Sequence, residues 1–256
     1  MSLQPTHSIS KKADVLASLR DEIRKIEGFK TATATASMHF GITELDNAFP
    51  DKCLPLGTTH EFISDSPESS AATASFIAAI LSKVVQNNAT VLWVSKSKTL
   101  YAPGLLPFGI TPDRIVFIHV SRDKEALWAI EEALRAKGLM AVVGEIGDAD
   151  LTATRRLQLA VEKSGTTGLL LRNNPRKIEQ SSVCVTRWKI DPLPSIEQNG
   201  LPGLGQPRWN VELQKVRHGQ PGKWAIEWND YSFSLIPQVI QPLVTNYTKF
   251  AGRKTG

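Results

Sequence analysis

Residues 58–82 read TTHEFISDSPESSAATASFIAAILS, and the organisation of the whole chain follows from how this stretch is read. A short β-prone run, 60–63, leads into a turn-forming run, 64–70, and then into an apolar helix carrying Phe76, Ile77, Ile80 and Leu81. Strand, loop and helix in this order are the setting of a phosphate-binding loop. In such a loop glycines let backbone N–H groups close around phosphates, a lysine reaches the outer phosphates, and a Ser or Thr holds Mg²⁺. The pattern G-x-x-x-x-G-K-[ST] falls on Ser66, Pro67, Glu68, Ser69, Ser70, Ala71, Ala72 and Thr73, and of its fixed positions only Thr73 is kept. Phosphoryl transfer rests on positioning and charge stabilisation, so Ala72 cannot supply what the lysine supplies. The setting of a nucleotide site is present and its electrostatic centre is missing.

The rest of the composition bounds the answer. With 256 residues, 41% of them hydrophobic, the chain can bury one large core. No long apolar run is present, and the opening MSLQPTHSISKK lacks the apolar region of a signal peptide, which predicts a cytoplasmic protein with no membrane contact. Cys53 and Cys184 have no metal-ligand neighbours at useful spacing and read as reduced, buried thiols. The net charge of +5 is unevenly spread: 18 Lys+Arg face 19 Asp+Glu up to Thr166, and 12 face 6 from Thr167 onward. A basic last third fits either a solvated surface or contact with nucleic acid or an acidic partner.

Residues 10–27, SKKADVLASLRDEIRKIE, place Val15, Leu16, Leu19, Ile23 and Ile26 on one helical face, with Gly28 as the stop. A helix of this length is marginal alone in water, so its stripe docks either on a partner or back on its own core. TATATAS, 31–37, is a linker by composition. Buried strands follow at 90–95, 114–120, 141–143 and 168–171, separated by helices at 124–137 and 152–164. Strands alternating with helices imply parallel β-α-β units. The runs 183–190, 209–217, 223–228 and 231–235 then alternate polar and apolar residues, an antiparallel continuation of the sheet. The expected organisation is an N-terminal helix and linker (1–37), an α/β core with a mixed, mostly parallel central sheet (38–240), and a basic tail (241–256).

The stretch SPESSAAT resembles the loop of RecA recombinases, GPESSGKT, and keeps Pro67, Glu68, Ser69, Ser70 and Thr73 in register. GITELDNAF and LPLGTTHEF resemble the RecA lead-in through Gly41, Leu45, Asp46, Leu54, Gly57 and Glu61. The resemblance implies a RecA-like fold. It also implies where further catalytic groups would stand: a water-polarising carboxylate at Ser97, a Walker B aspartate at Gly144, and a γ-phosphate sensor at Asn173 or Asn174. None of these carries the family's residue, and Glu145 is the one substitute carboxylate. The family's two DNA-binding loops would fall at 145–151 and 173–182, where the chain is short.

Further strings narrow the resemblance. Leu127-Trp128 with Glu131-Glu132 in one helix, RRLQLA (155–160), Thr186-Arg187-Trp188, Pro207-Arg208-Trp209 and a late Glu227-Trp228 resemble, in this order, the ImuA family of RecA-like accessory proteins. That resemblance implies a damage-induced, non-enzymatic role in error-prone translesion synthesis, beside an ImuB-like protein, an error-prone C-family DNA polymerase and RecA. It implies no ATP or Mg²⁺ as cofactor, and leaves homo-oligomerisation open. Partner contact is assigned to Leu16, Leu19, Ile23 and Ile26, and DNA or partner contact to Arg155, Arg156, Arg187 and Arg208. DNA affinity of this kind is weak, on the order of 10⁻⁴ to 10⁻⁶ M, and salt-sensitive. Neighbouring strand residues point to opposite faces, so Trp188 and Trp209 read as core rather than as a base-stacking platform. His60 and His119, in strand runs, read as satisfied core or edge residues. Two other readings stand beside this one: a DNA-dependent ATPase relying on Glu145, and a SulA-like inhibitor of cell division that binds FtsZ, against which the length of the chain argues.

Overall fold

The computed structural model describes residues 37–84, 89–175, 182–195 and 205–237. The predicted N-terminal helix, with Leu16, Leu19, Ile23 and Ile26, and the basic tail lie outside the described residues.

A nine-stranded sheet runs in the order β11-β10-β9-β8-β3-β7-β6-β4-β5. Its members are β3 (Thr59–Ser64), β4 (Thr90–Ser95), β5 (Ile115–His119), β6 (Leu139–Ile146), β7 (Thr167–Asn173), β8 (Thr186–Pro192), β9 (Arg208–Val216), β10 (Gly222–Asn229) and β11 (Ser232–Leu235). From β5 to β8 every pairing is parallel, and from β8 to β11 every pairing is antiparallel. The α/β architecture and the antiparallel C-terminal side are those the sequence predicts. A separate two-stranded ribbon pairs β1 (Ser37–Met38) with β2 (Leu54–Pro55) around the short helix α1 (Thr43–Asp46).

Two layers cover the sheet. Helix α2 (Pro67–Val84) and the 3₁₀ turn Ala102–Phe108 bury one face, where Phe40, Phe62, Phe76, Trp188, Trp209, Trp228 and Phe233 form one aromatic core. Helices α3 (Asp123–Arg135) and α4 (Leu151–Ser164) cover the other face over Val94, Val142, Ile146 and Leu170. Trp188 and Trp209 are fully buried, as the alternation along their strands predicts. Cys184 is buried and Cys53 only half-buried, so the expectation of two buried thiols holds for one; both are free.

Two elements differ from the sequence reading in ways that bear on function. Strand β6 extends to Ile146, carrying Glu145 inside the strand rather than after it. Helix α2 starts at Pro67, so most of the run read as a turn is helical.

Candidate functional site at the altered phosphate loop

Only Asp65 and Ser66 separate β3 from α2. The helix begins there because the sequence supplies a reciprocal cap. Ser66 Oγ accepts from the Ser69 N–H (3.1 Å), and Ser69 Oγ accepts from the N–H groups of Ser66 (3.1 Å) and Asp65 (3.2 Å). Pro67 occupies the first helical position, where a missing N–H is harmless. Without glycine at 66 and 71 no residue of this segment takes the left-handed conformation, and Ala71 and Ala72 favour continuing the helix. Residues 68–71 therefore direct their N–H groups along the helix axis instead of around an anion.

Each sequence-assigned position of the loop has a structural task. Ser66 caps the helix, Ala71 lies on its exposed side, and Ala72 is packed into the aromatic core at 6% exposure. A lysine at 72 would point at the sheet. Thr73 is fully buried; its hydroxyl donates to the Ser69 carbonyl (2.7 Å) and accepts from Ser64 Oγ (3.0 Å). Ser70 donates to Asn173 Oδ1 (2.8 Å), so the sensor position at the end of β7 is tied to α2. Asn174 takes a positive φ of 48° and bonds through its N–H to the Ser64 carbonyl (2.7 Å).

The electrostatics are those of a site already holding anions. Asp65 accepts from Lys189 Nζ (2.7 Å), a bond that holds the carboxyl below its usual range and raises the lysine. Glu68 is also held below its ordinary range, by its own backbone N–H and the Ser66 hydroxyl. Two carboxylates thus stand at the end of α2 whose dipole favours negative charge. A triphosphate brought there would meet the Glu68 carboxylate and would have to compete with Asp65 for Lys189.

Glu145 is the carboxylate that faces this layer. Along β6, Ala141 and Val143 belong to the α2-side core and Val142 and Ile146 to the α3 side, so Glu145 points to the α2 side. Gly144 points the opposite way, and a Cβ there would lie 2.3 Å from Ile130 Cδ1. The aspartate position is thereby corrected: 144 has no room for a side chain, and its neighbour occupies the face. Glu145 accepts from Trp93 Nε1 (2.7 Å) and from Ser97 Oγ (3.4 Å). Burial pushes its carboxyl above the usual range, partly offset by those two bonds and by His119. The structure brings Ser97 and Glu145 together, with Trp93 holding one carboxylate oxygen and Ser97 only a long contact with the other.

The four assigned arginines differ. Arg187 Nε pairs with Glu61 Oε1 (2.8 Å), Arg208 Nε approaches Glu227 Oε2 (3.5 Å), and Arg156 pairs with the buried Glu131, which Arg135 also contacts. Arg155 is exposed and has no ion-pair partner among the described residues. One residue that sequence reasoning passed over completes the charge network. Arg172 is fully buried, its NH1 donating to Glu61 Oε2 (3.2 Å) and its NH2 lying 4.0 Å from Asp148 Oδ1. An arginine closing the run LLLR at a strand end was the available signal for it.

No model of a known protein family matches the chain. A curated relative, Protein ImuA of Caulobacter vibrioides strain NA1000 / CB15N, is 35% identical over 242 residues, covering 88% of this chain and 98% of its own length. Protein ImuA of C. vibrioides strain CB 15 matches to the same extent. The chain belongs to the ImuA family.

The strings by which the sequence resembles ImuA mostly serve architecture. Within RRLQLA, Gln158 Oε1 accepts from the Thr59 hydroxyl (2.8 Å), the Thr59 N–H (3.1 Å) and the Thr58 hydroxyl (3.2 Å), fastening α4 to the start of β3. Trp188 Nε1 donates to Thr186 Oγ1 (2.7 Å), and Trp209 Nε1 donates to Ser75 Oγ (2.9 Å). Trp128 is the exception: it is 65% exposed on α3 of this ImuA-family chain. No group of His, Cys, Asp and Glu side chains among the described residues is arranged to hold a metal ion, and no described helix is long and apolar enough to cross a membrane.

Proposed function

We propose that this ImuA-family protein is a non-hydrolysing accessory in damage-induced, error-prone translesion synthesis. It acts through protein contacts with an ImuB-like protein, an error-prone C-family polymerase and RecA, and binds DNA weakly. The observation that carries the reading is the loss of the phosphate cradle to helix: residues 67–71 belong to α2, Ala72 lies in the core, and Asp65 and Glu68 hold the helix end. A protein whose inherited site cannot gather charge around a phosphate retains its surface as its means of action. The pairing of Arg156, Arg187 and Arg208 with carboxylates supports weak rather than strong DNA affinity, since paired cations release fewer counterions. The cytoplasm is the compartment this role requires.

The test joins two measurements on the full-length protein. Capture from DNA-damaged cells is expected to return an ImuB-like protein and an error-prone polymerase, and purified protein is expected to show no ATP turnover with or without single-stranded DNA. ATP turnover that Glu145→Ala abolishes would establish the ATPase reading instead. Capture of FtsZ without any repair protein would establish the inhibitor reading.

A further inference from the structure

The two edges of the sheet differ in a way that points to a second copy of this chain. β11, at one edge, is four residues long, and Pro237 stands two residues past its end, a short and interrupted edge of the kind that resists pairing. β5, at the other edge, reads IVFIH and continues into Val120. It carries no charged residue or proline, and Val116 is 49% exposed. The Val120 N–H bonds to the Ser95 carbonyl (3.0 Å), so by alternation Ile115, Phe117 and His119 turn their N–H and C=O groups away from β4. Among the described residues nothing covers this apolar edge, and an edge with open backbone groups is a template for another strand.

The helix above that edge supplies the complement. A groove of about 480 Å³ runs between β5 and α3, lined by Leu92, Ile118, Val120, Trp128 and Ala129, with Glu132 at its rim. Lys124, Trp128 and Glu132 follow one another at intervals of four residues, so they form one stripe on α3, and all three are exposed. The stripe reads cation, aromatic, anion. Turned by 180° about an axis through Trp128 it matches itself: Lys124 of each copy meets Glu132 of the other, and the two indoles meet at the centre. An antiparallel pairing of two β5 strands has its two-fold axis perpendicular to the sheet, which places both α3 helices on the same side and antiparallel to each other. The edge and the stripe therefore specify the same symmetry operation.

We infer that the protein forms an isologous homodimer in which β5 pairs antiparallel with β5 of a second copy, and the Lys124, Trp128 and Glu132 stripes of the two α3 helices close over the joined sheet. The occupant of the groove is the second copy's Trp128.

Sedimentation of the full-length protein between about 1 and 100 μM tests this, with variants confined to exposed positions so that each monomer still folds, as circular dichroism verifies. A concentration-dependent dimer is expected. Val116→Lys and Trp128→Ala each abolish it. Lys124→Glu and Glu132→Lys, which set like charges across the axis twice per dimer, each weaken it about tenfold, and the two together restore it. A monomer throughout the range overturns the inference, as does a dimer indifferent to Val116→Lys and Trp128→Ala, or a charge-swapped double variant as weak as the single ones.

Discussion

Individual side chains show why the altered loop cannot be repaired by one substitution. Ala72 stands where a lysine would be needed and is packed against the core. Ala72→Lys should therefore bury an ammonium without a partner and lower stability by about 3 kcal/mol, read as an earlier thermal or urea midpoint, with no gain of nucleotide affinity. Glu145 makes a contrasting case. Its carboxyl is raised by burial, so the folded state holds its proton more tightly than the unfolded chain, and the residue opposes folding as pH climbs above the ordinary carboxylate range. Glu145→Gln keeps an acceptor for Trp93 and removes the buried charge; its stability at pH 8 should equal or exceed that of the parent by about 1 kcal/mol. A large loss of stability would mean that the charge itself holds the fold. His60 behaves in the opposite sense. Its Nε2–H donates to the Pro55 carbonyl (2.9 Å), which leaves Nδ1 to accept from Thr186 (2.8 Å), and full burial lowers its pKa to about 4. The unfolded chain binds the extra proton between that value and about 6.5, so stability falls as pH drops through this window, by about 3 kcal/mol when complete. Denaturation midpoints at successive pH values should show that slope in the parent and lack it in His60→Gln.

Among the elements, α2 shows how one sequence can carry two local readings. S-P-E-S is both the body of a RecA-type loop and a helix cap with proline at its first position, and the residues that decide between them are the two glycines. Where they are present the backbone can leave the helix; with Ser66 and Ala71 in their place the cap prevails. The signal was legible in the sequence, but the strand-loop-helix template outweighed it. Ser66→Ala is expected to cost about 1 kcal/mol by removing the cap, and Ala71→Gly about 1 kcal/mol by weakening an exposed helical position, each measurable by chemical denaturation. Strand β6 teaches a related lesson. The alternation Ala141, Val143, Glu145 against Val142, Gly144, Ile146 already assigns the faces, and period two, carried two residues further, would have put the carboxylate on the α2 side. Of the nine-stranded sheet, the parallel strands were legible as short buried apolar runs and the antiparallel ones by their alternation and turns, whereas the two-residue strands β1 and β2 left no such signal. The boundary of β8 was less legible, since residues 183–185 are as apolar as a strand and precede it.

Across the whole molecule, the charged residues of the sheet's centre tie together three neighbouring parallel strands. Glu61 on β3 reaches Arg172 on β7 and Arg187 on β8, joining three neighbouring strands at one buried carboxylate. Glu61→Gln would leave the fully buried Arg172 with only the more distant Asp148 (4.0 Å) as counter-charge, and a loss of about 3 kcal/mol is expected in equilibrium unfolding. No local pattern pairs residues so distant in sequence, which is why Arg187 reads, from sequence alone, as a DNA or partner contact. Its place beside Glu61 follows only from the strand order. The same order leaves β5 at one edge of the sheet, and the proposed role adds the expectation that the altered loop no longer takes nucleotide. Isothermal titration of the full-length protein with ATP and Mg²⁺ addresses this most directly. Our account predicts no binding heat up to millimolar nucleotide; a saturable one-to-one isotherm in the micromolar range, lost on disrupting Thr73, would contradict it.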